Sequence, residues 1–147
     1  MSIHYHHRQI NPWAALPVLL ITAVIVPLYG WIGREAQIPL WHLVFVLILV
    51  GGLTVNFAAL TVEVTEQELL LWFGLGWPRR RFARTDIVAP RLVTIPWWYG
   101  AGIKLGLKRT TYLVATGPGV AFERTSGRTI QIGSDDADGL LVALKTP

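Results

Sequence analysis

The sequence predicts an α+β membrane protein: a two-helix transmembrane hairpin, then an antiparallel barrel of about seven strands, capped by a C-terminal helix. Three observations carry this expectation. Two charge-poor apolar runs flank one short polar loop near the start; apolar residues then recur with period two; and the chain ends on an amphipathic helical pattern.

The first apolar run, Trp13 to Ile32, has Tyr29 as its only ionisable side chain, and the second, Leu40 to Leu60, has only His42. Each is about 20 residues, which at about 1.5 Å per residue reaches the roughly 30 Å of a bilayer hydrocarbon core. The loop 33–39 permits only a tight reversal, so residues 12–60 read as antiparallel spans at about 13–32 and 40–60. Pro39 suits the first turn of the second helix, where no amide hydrogen is required. Trp13, Trp31 and Trp41 stand at the ends, where indole rings favour the membrane interface. Pro17 and Pro27 are expected to kink the first helix, while Gly51, Gly52, Ala58 and Ala59 offer a small-residue surface for close helix approach. Asn56 is expected to bond to the partner helix or to lie near the inner boundary. No small-x-small cleavage pattern follows the first run, which argues against a signal peptide.

Lys/Arg placement sets the orientation. Arg8 precedes the first span, Arg34 beside Glu35 occupies the loop, and Arg79, Arg80, Arg81 and Arg84 follow the second, which places both termini on the cytoplasmic side. Residues 1–11 contain His4, His6 and His7, whose imidazoles suit transition metals. No carboxylate stands close in sequence, so the segment reads as a short flexible cytoplasmic tail. No metal or cofactor is called for, and the absence of cysteine excludes disulfides and thiolate sites.

From residue 61 to 147 the pattern is that of one small domain. Leu60, Val62 and Val64 alternate with Thr61, Glu63 and Thr65, and Glu66-Gln67 turns the chain into Leu69, Leu71 and Phe73. Gly74 to Pro78 is a loop; 79–82 and 87–93 read as one bent strand or two. Ile103, Leu105 and Leu107 alternate with Lys104, Gly106 and Lys108, and 112–115 forms a further short run. The clearest hairpin is Val120, Phe122 and Arg124 returning through Thr125-Ser126-Gly127 to Arg128, Ile130 and Ile132, with Gly127 supplying the left-handed residue. Ser134 or Asp135 caps a final helix with Asp136 and Asp138 in its first turn and Lys145 in its last; Ala137, Leu140, Leu141 and Leu144 form its apolar face. The acids there do not make a calcium loop, because Lys145 stands where a bidentate glutamate is required.

Strands followed by one amphipathic helix, together with the segments 96–103 (Pro96-Trp97-Trp98-Tyr99-Gly100) and 122–136 (Phe122-Glu123-Arg124-Thr125-Ser126-Gly127), resemble small bacterial two-span membrane proteins that carry a bacterial pleckstrin-homology domain. The resemblance covers roughly residues 12–145 and implies a partly open barrel that acts as a binding or self-association module. The phosphoinositide mode of eukaryotic relatives is not carried over, since the first strand hairpin here holds Glu63, Glu66 and Glu68.

Positive charge instead gathers between Arg79 and Arg109, where eight cations face one acid, Asp86. The whole chain carries only +4, so the remainder is net negative. Arg79, Arg80, Arg81 and Arg84 with Trp97, Trp98 and Tyr99 are therefore the candidate membrane-surface residues, each cation near an anionic leaflet contributing about 1 kcal/mol. Competing accounts are a purely structural role for the aromatic rings and a nucleic-acid surface, the latter without any recognised motif. The leading functional expectation is a non-catalytic scaffold at the bacterial cytoplasmic membrane, engaging the lipid bilayer and a protein partner or a second copy. An accessory subunit of a larger complex ranks second. An enzyme ranks last, because all four histidines precede residue 43 and no nucleophile and base are paired; no small-molecule substrate is evident.

Overall fold

A computed structural model describes residues 3–146. The first strand, β1 (Ile3–Ile10), leads through a 3-10 turn into helix α1 (Ala15–Glu35); helix α2 (Leu40–Phe57) returns and runs into β2 (Ala59–Thr65). β1 and β2 pair antiparallel from Ile10↔Ala59 to Ile3↔Thr65, with one irregularity between Ile3 and Tyr5. The helical hairpin is thus inserted between two paired strands. Asn11 N donates to Ala58 O at 2.8 Å, so the chain leaves and re-enters the β structure at one point.

The N-terminal segment is therefore not the flexible tail expected from its histidines. Pairing along β2 satisfies its backbone, and alternation turns Tyr5, His7 and Gln9 to the side of Val64, Val62 and Leu60. His4, His6 and Arg8 face outward. The second apolar run also ends earlier than residue 60: α2 stops at Phe57, and Ala59 and Leu60 are buried in β2. Pro39 sits one place before the helix, as its N-cap residue, rather than in its first turn.

β2, β3 (Glu68–Phe73) and β4 (Arg79–Ala83) continue as a meander, giving sheet A the order β1-β2-β3-β4. Residues 79–95 form two strands, not one bent strand, because a 3-10 turn at Arg84–Asp86 passes the chain to the other sheet. Sheet B contains β5 (Ile87–Ile95), β6 (Gly102–Leu105), β7 (Arg109–Leu113), β8 (Gly117–Arg124) and β9 (Thr129–Gly133) in the order β5-β8-β9-β7-β6. The two sheets stay open, with nine strands among the described residues where about seven were expected. Nor is the pairing wholly antiparallel: β7 runs parallel to β9, Arg109↔Thr129 to Tyr112↔Ile132. The cause is topological, since β8 and β9 insert between β5 and β7 and leave β5 and β6 on opposite edges.

Helix α3 (Ala137–Lys145) covers the space between the sheets with Ala137, Leu140, Ala143 and Leu144. They belong to one core with Leu71, Phe73, Val120, Phe122 and Ile132, all nearly sealed from solvent. Each such large apolar side chain contributes about 1.5–3 kcal/mol by burial. The α3 cap is Asp136, one residue beyond the two expected candidates; its carboxylate accepts from Gly139 N at 3.2 Å. Ser134 lies buried beneath, its Oγ accepting from Asp136 N. The β8–β9 hairpin turns as expected, with Gly127 at φ 79°.

Candidate functional site

Three features carry the exposed apolar, aromatic and basic residues of the β structure. The first is the β3–β4 loop. Asn56, in the last turn of α2 and buried, donates from Nδ2 to Trp77 O at 2.7 Å and accepts from Leu75 N on Oδ1 at 3.1 Å. Gly74 passes so close that a Cβ there would lie 2.5 Å from Asn56 O. Asn56 thus binds this loop and not the other helix. Leu75 and Trp77, both more than two-thirds exposed, stand beside Ile48, Leu49 and Leu53 of α2 around an apolar groove of about 420 Å³.

The second feature is the arginine run of β4. Strand alternation splits it: Arg79 and Arg81 face outward, while Arg80 points to the opposite face at the open edge of sheet A. The Arg79 guanidinium lies 5.2 Å from the centre of the Trp72 ring, a cation–π contact. Arg8, Thr61, Trp72 and Arg79 occupy one row of paired positions on the outer face. Arg81 comes within 3.9 Å of Glu68, an exposed pair of small energetic weight. Arg84 does not join them. Its guanidinium donates to Ala143 O at 2.8 Å and to Thr146 O, closing the carbonyl end of α3.

The third feature is the connection from β5 to β6. These strands are the two edges of sheet B, four strand spacings apart, or about 19 Å along a flat sheet. Seven chain steps from Ile95 to Gly102, with a 3-10 turn at Trp97–Tyr99, join them. The connection crosses the outer face, where Ile95, Leu113 and Thr111 are buried although none of them belongs to the inter-sheet core. Leu113 is next to Val114, whose carbonyl accepts from Asn11 Nδ2 at 2.7 Å, which fixes this crossing near the helix junction. Trp97 and Trp98 pack edge to face at 5.9 Å and remain 79% and 67% exposed. Trp98 and Tyr99, with Lys104, Leu105, Arg109 and Thr111, line a cavity of about 400 Å³ on the strand surface.

The predicted arginines and aromatic residues are carried by different elements. Arg79 and Arg81 lie on sheet A, Arg84 is committed to α3, and the tryptophans belong to sheet B. Lys104 and Arg109, two of the eight cations between residues 79 and 109, lie on the outer face of sheet B. Alternation with Ile103 put Lys104 on the outer face; the register that brings Arg109 to that face depends on pairing with β9.

The N-terminal histidines, read as remote from any carboxylate, meet three of them through the strand pairing. His4 Nε2 is 3.7 Å from Glu66, His6 Nδ1 is 3.4 Å from Glu63, and His7 Nε2 is 2.6 Å from Asp135. Among the described residues, no group of three or more such side chains converges to hold a metal ion. Two ionisable groups elsewhere are shifted. The Thr125 hydroxyl and the Arg124 guanidinium, the latter at 2.6 Å, hold the Asp86 carboxyl below its usual value. Burial, and then the hydrogen bond to Asp136, push the Tyr5 phenol up.

No family model, no curated protein and no solved structure matches this chain.

Proposed function

We propose that the chain is a non-catalytic, membrane-anchored binding module: α1 and α2 span a bacterial cytoplasmic membrane, and the β domain stands at its inner face, both termini inside, to engage a protein partner or a second copy. The observation that carries this reading is the exposure of the helices. Pro12–Gly33 and Leu40–Phe57 are long and apolar enough to cross a bilayer, yet 0% and 6% of their most apolar windows are buried. A core helix of a soluble domain would be largely covered, and apart from Phe57 at the end of α2 the β core closes without them.

Two sheets followed in sequence by a capping helix support a pleckstrin-homology-like reading of the domain, and the parallel β7–β9 pair is a departure from it. Anionic-lipid contact rests on Arg79, Arg80 and Arg81, with Arg8 in the outer row, and on Trp77 and Trp97 at headgroup depth. The groove between α2 and Trp77 favours the second reading, an accessory subunit whose partner helix lies there.

Full-length protein in nanodiscs tests the lipid contact. Brominated phosphatidylglycerol should quench tryptophan emission more than brominated phosphatidylcholine, and the Arg79→Ala/Arg80→Ala variant should lose that preference. Equal quenching by both lipids would remove the electrostatic part of the proposal.

A further inference from the structure

We infer that the cavity between the β5–β6 strap and the β6–β7 hairpin is a binding site for a phosphate group carried on a flat ring, with Lys104 and Arg109 holding the phosphate and Trp98 and Tyr99 stacking on the ring. The site is built from two directions. The strap brings Trp98 and Tyr99 across the outer face, while strand register places Lys104 opposite Thr111, and Arg109 two residues before it on the same face. Its volume of about 400 Å³ falls within the range of small-ligand sites, about 300–1,000 Å³.

Its charge is one-sided. Among the described residues, Arg81, Arg91 and Arg124 have carboxylate partners, whereas neither Lys104 nor Arg109 has one. Thr111, 1% exposed, donates its hydroxyl to Gln131 Oε1 at 3.1 Å, so the floor is internally satisfied and leaves the cations to the ligand. The Trp98 ring, two-thirds exposed, presents a free face of the kind that stacks on sugars or bases. Guanidinium and ammonium groups beside such a ring select an anion attached to a planar body over either part alone. This inference does not depend on the membrane proposal, since none of these residues lies in a helix that would span.

Isothermal titration of the full-length protein in detergent tests it with adenosine 5′-monophosphate, inorganic phosphate and adenosine as probes. The monophosphate should bind saturably and about tenfold or more tighter than inorganic phosphate, and adenosine should give no saturable heat. Lys104→Ala/Arg109→Ala, at two exposed positions, should weaken the monophosphate at least about tenfold. Trp98→Ala should weaken the monophosphate while leaving inorganic phosphate unchanged, and Arg91→Ala, outside the cavity, should change neither. Nanodiscs containing cytidine diphosphate-diacylglycerol, whose headgroup joins phosphates to a planar base, distinguish the source: competition with the monophosphate assigns the site to a lipid headgroup, and its absence to a free organic phosphate. No saturable binding at millimolar concentration, or binding unaltered in the double variant, overturns the inference. Equal affinity for the monophosphate and inorganic phosphate overturns the stacking role.

Discussion

Tyr5 donates its hydroxyl to the Asp136 carboxylate at 3.0 Å, joining the first strand to the cap of the last helix across 131 positions of sequence. The chain's two ends are thereby locked on the same edge of the core. Tyr5→Phe keeps the ring and removes this bond, and should cost about 0.5–1.5 kcal/mol in denaturant unfolding. Asp136→Ala loses the helix cap as well and should cost more. A fragment of residues 61–147 lacks β1 and leaves the β2 edge exposed, and should fail to fold, read by circular dichroism and proteolysis.

Asn56 fixes the β3–β4 loop to α2 through two hydrogen bonds. Asn56→Ala leaves the Leu75 amide and the Trp77 carbonyl without their partner, at an expected cost of about 1–3 kcal/mol. Trypsin cleavage after Arg79 should accelerate in this variant and not in His42→Ala, at the far end of the same helix.

Asp86 ties the β4–β5 corner to the β8–β9 turn through Thr125 and Arg124. Its carboxyl titrates below its ordinary value of 3.8, so the folded state favours the charged form. That contribution is present above the ordinary carboxylate range and disappears as pH falls through the lowered folded value. The Tm difference between wild type and Asp86→Asn should therefore be largest near neutrality and shrink as pH is taken below 3.8.

Ala89 adopts φ 48° beside a register shift in β5, a left-handed conformation that costs an L side chain about 1 kcal/mol. Ala89→Gly relieves that strain at the expense of unfolded-chain entropy. Unfolding should show a change within about 1 kcal/mol, whereas Ala89→Val should destabilise by more.

The helices, the β8–β9 hairpin and α3 were legible because each signal is local: an uncharged run, a turn glycine, an amphipathic repeat. β1 was not. Only Tyr5 and the terminal isoleucines at 3 and 10 are apolar in it, and its partner strand lies some 50 residues away beyond both helices. The parallel β7–β9 pair was hidden for the same reason, since parallel register depends on the intervening strand and not on any turn residue. At the candidate site, composition revealed a basic, aromatic stretch. The strand order then put Arg79 and Arg81 on sheet A and Trp97 on the connection across sheet B, and Arg84 became a cap for α3.

The cysteine-free chain permits the most direct measurement, labelling of single introduced cysteines by a membrane-impermeant maleimide in intact bacterial cells. Glu35→Cys, between the helices, should label from outside, and Ser126→Cys, in the β8–β9 turn, only after the cells are permeabilised. Labelling of Ser126→Cys in intact cells, or protection of Glu35→Cys that permeabilisation relieves, would contradict a helical hairpin that spans the membrane with its β domain on the inner face.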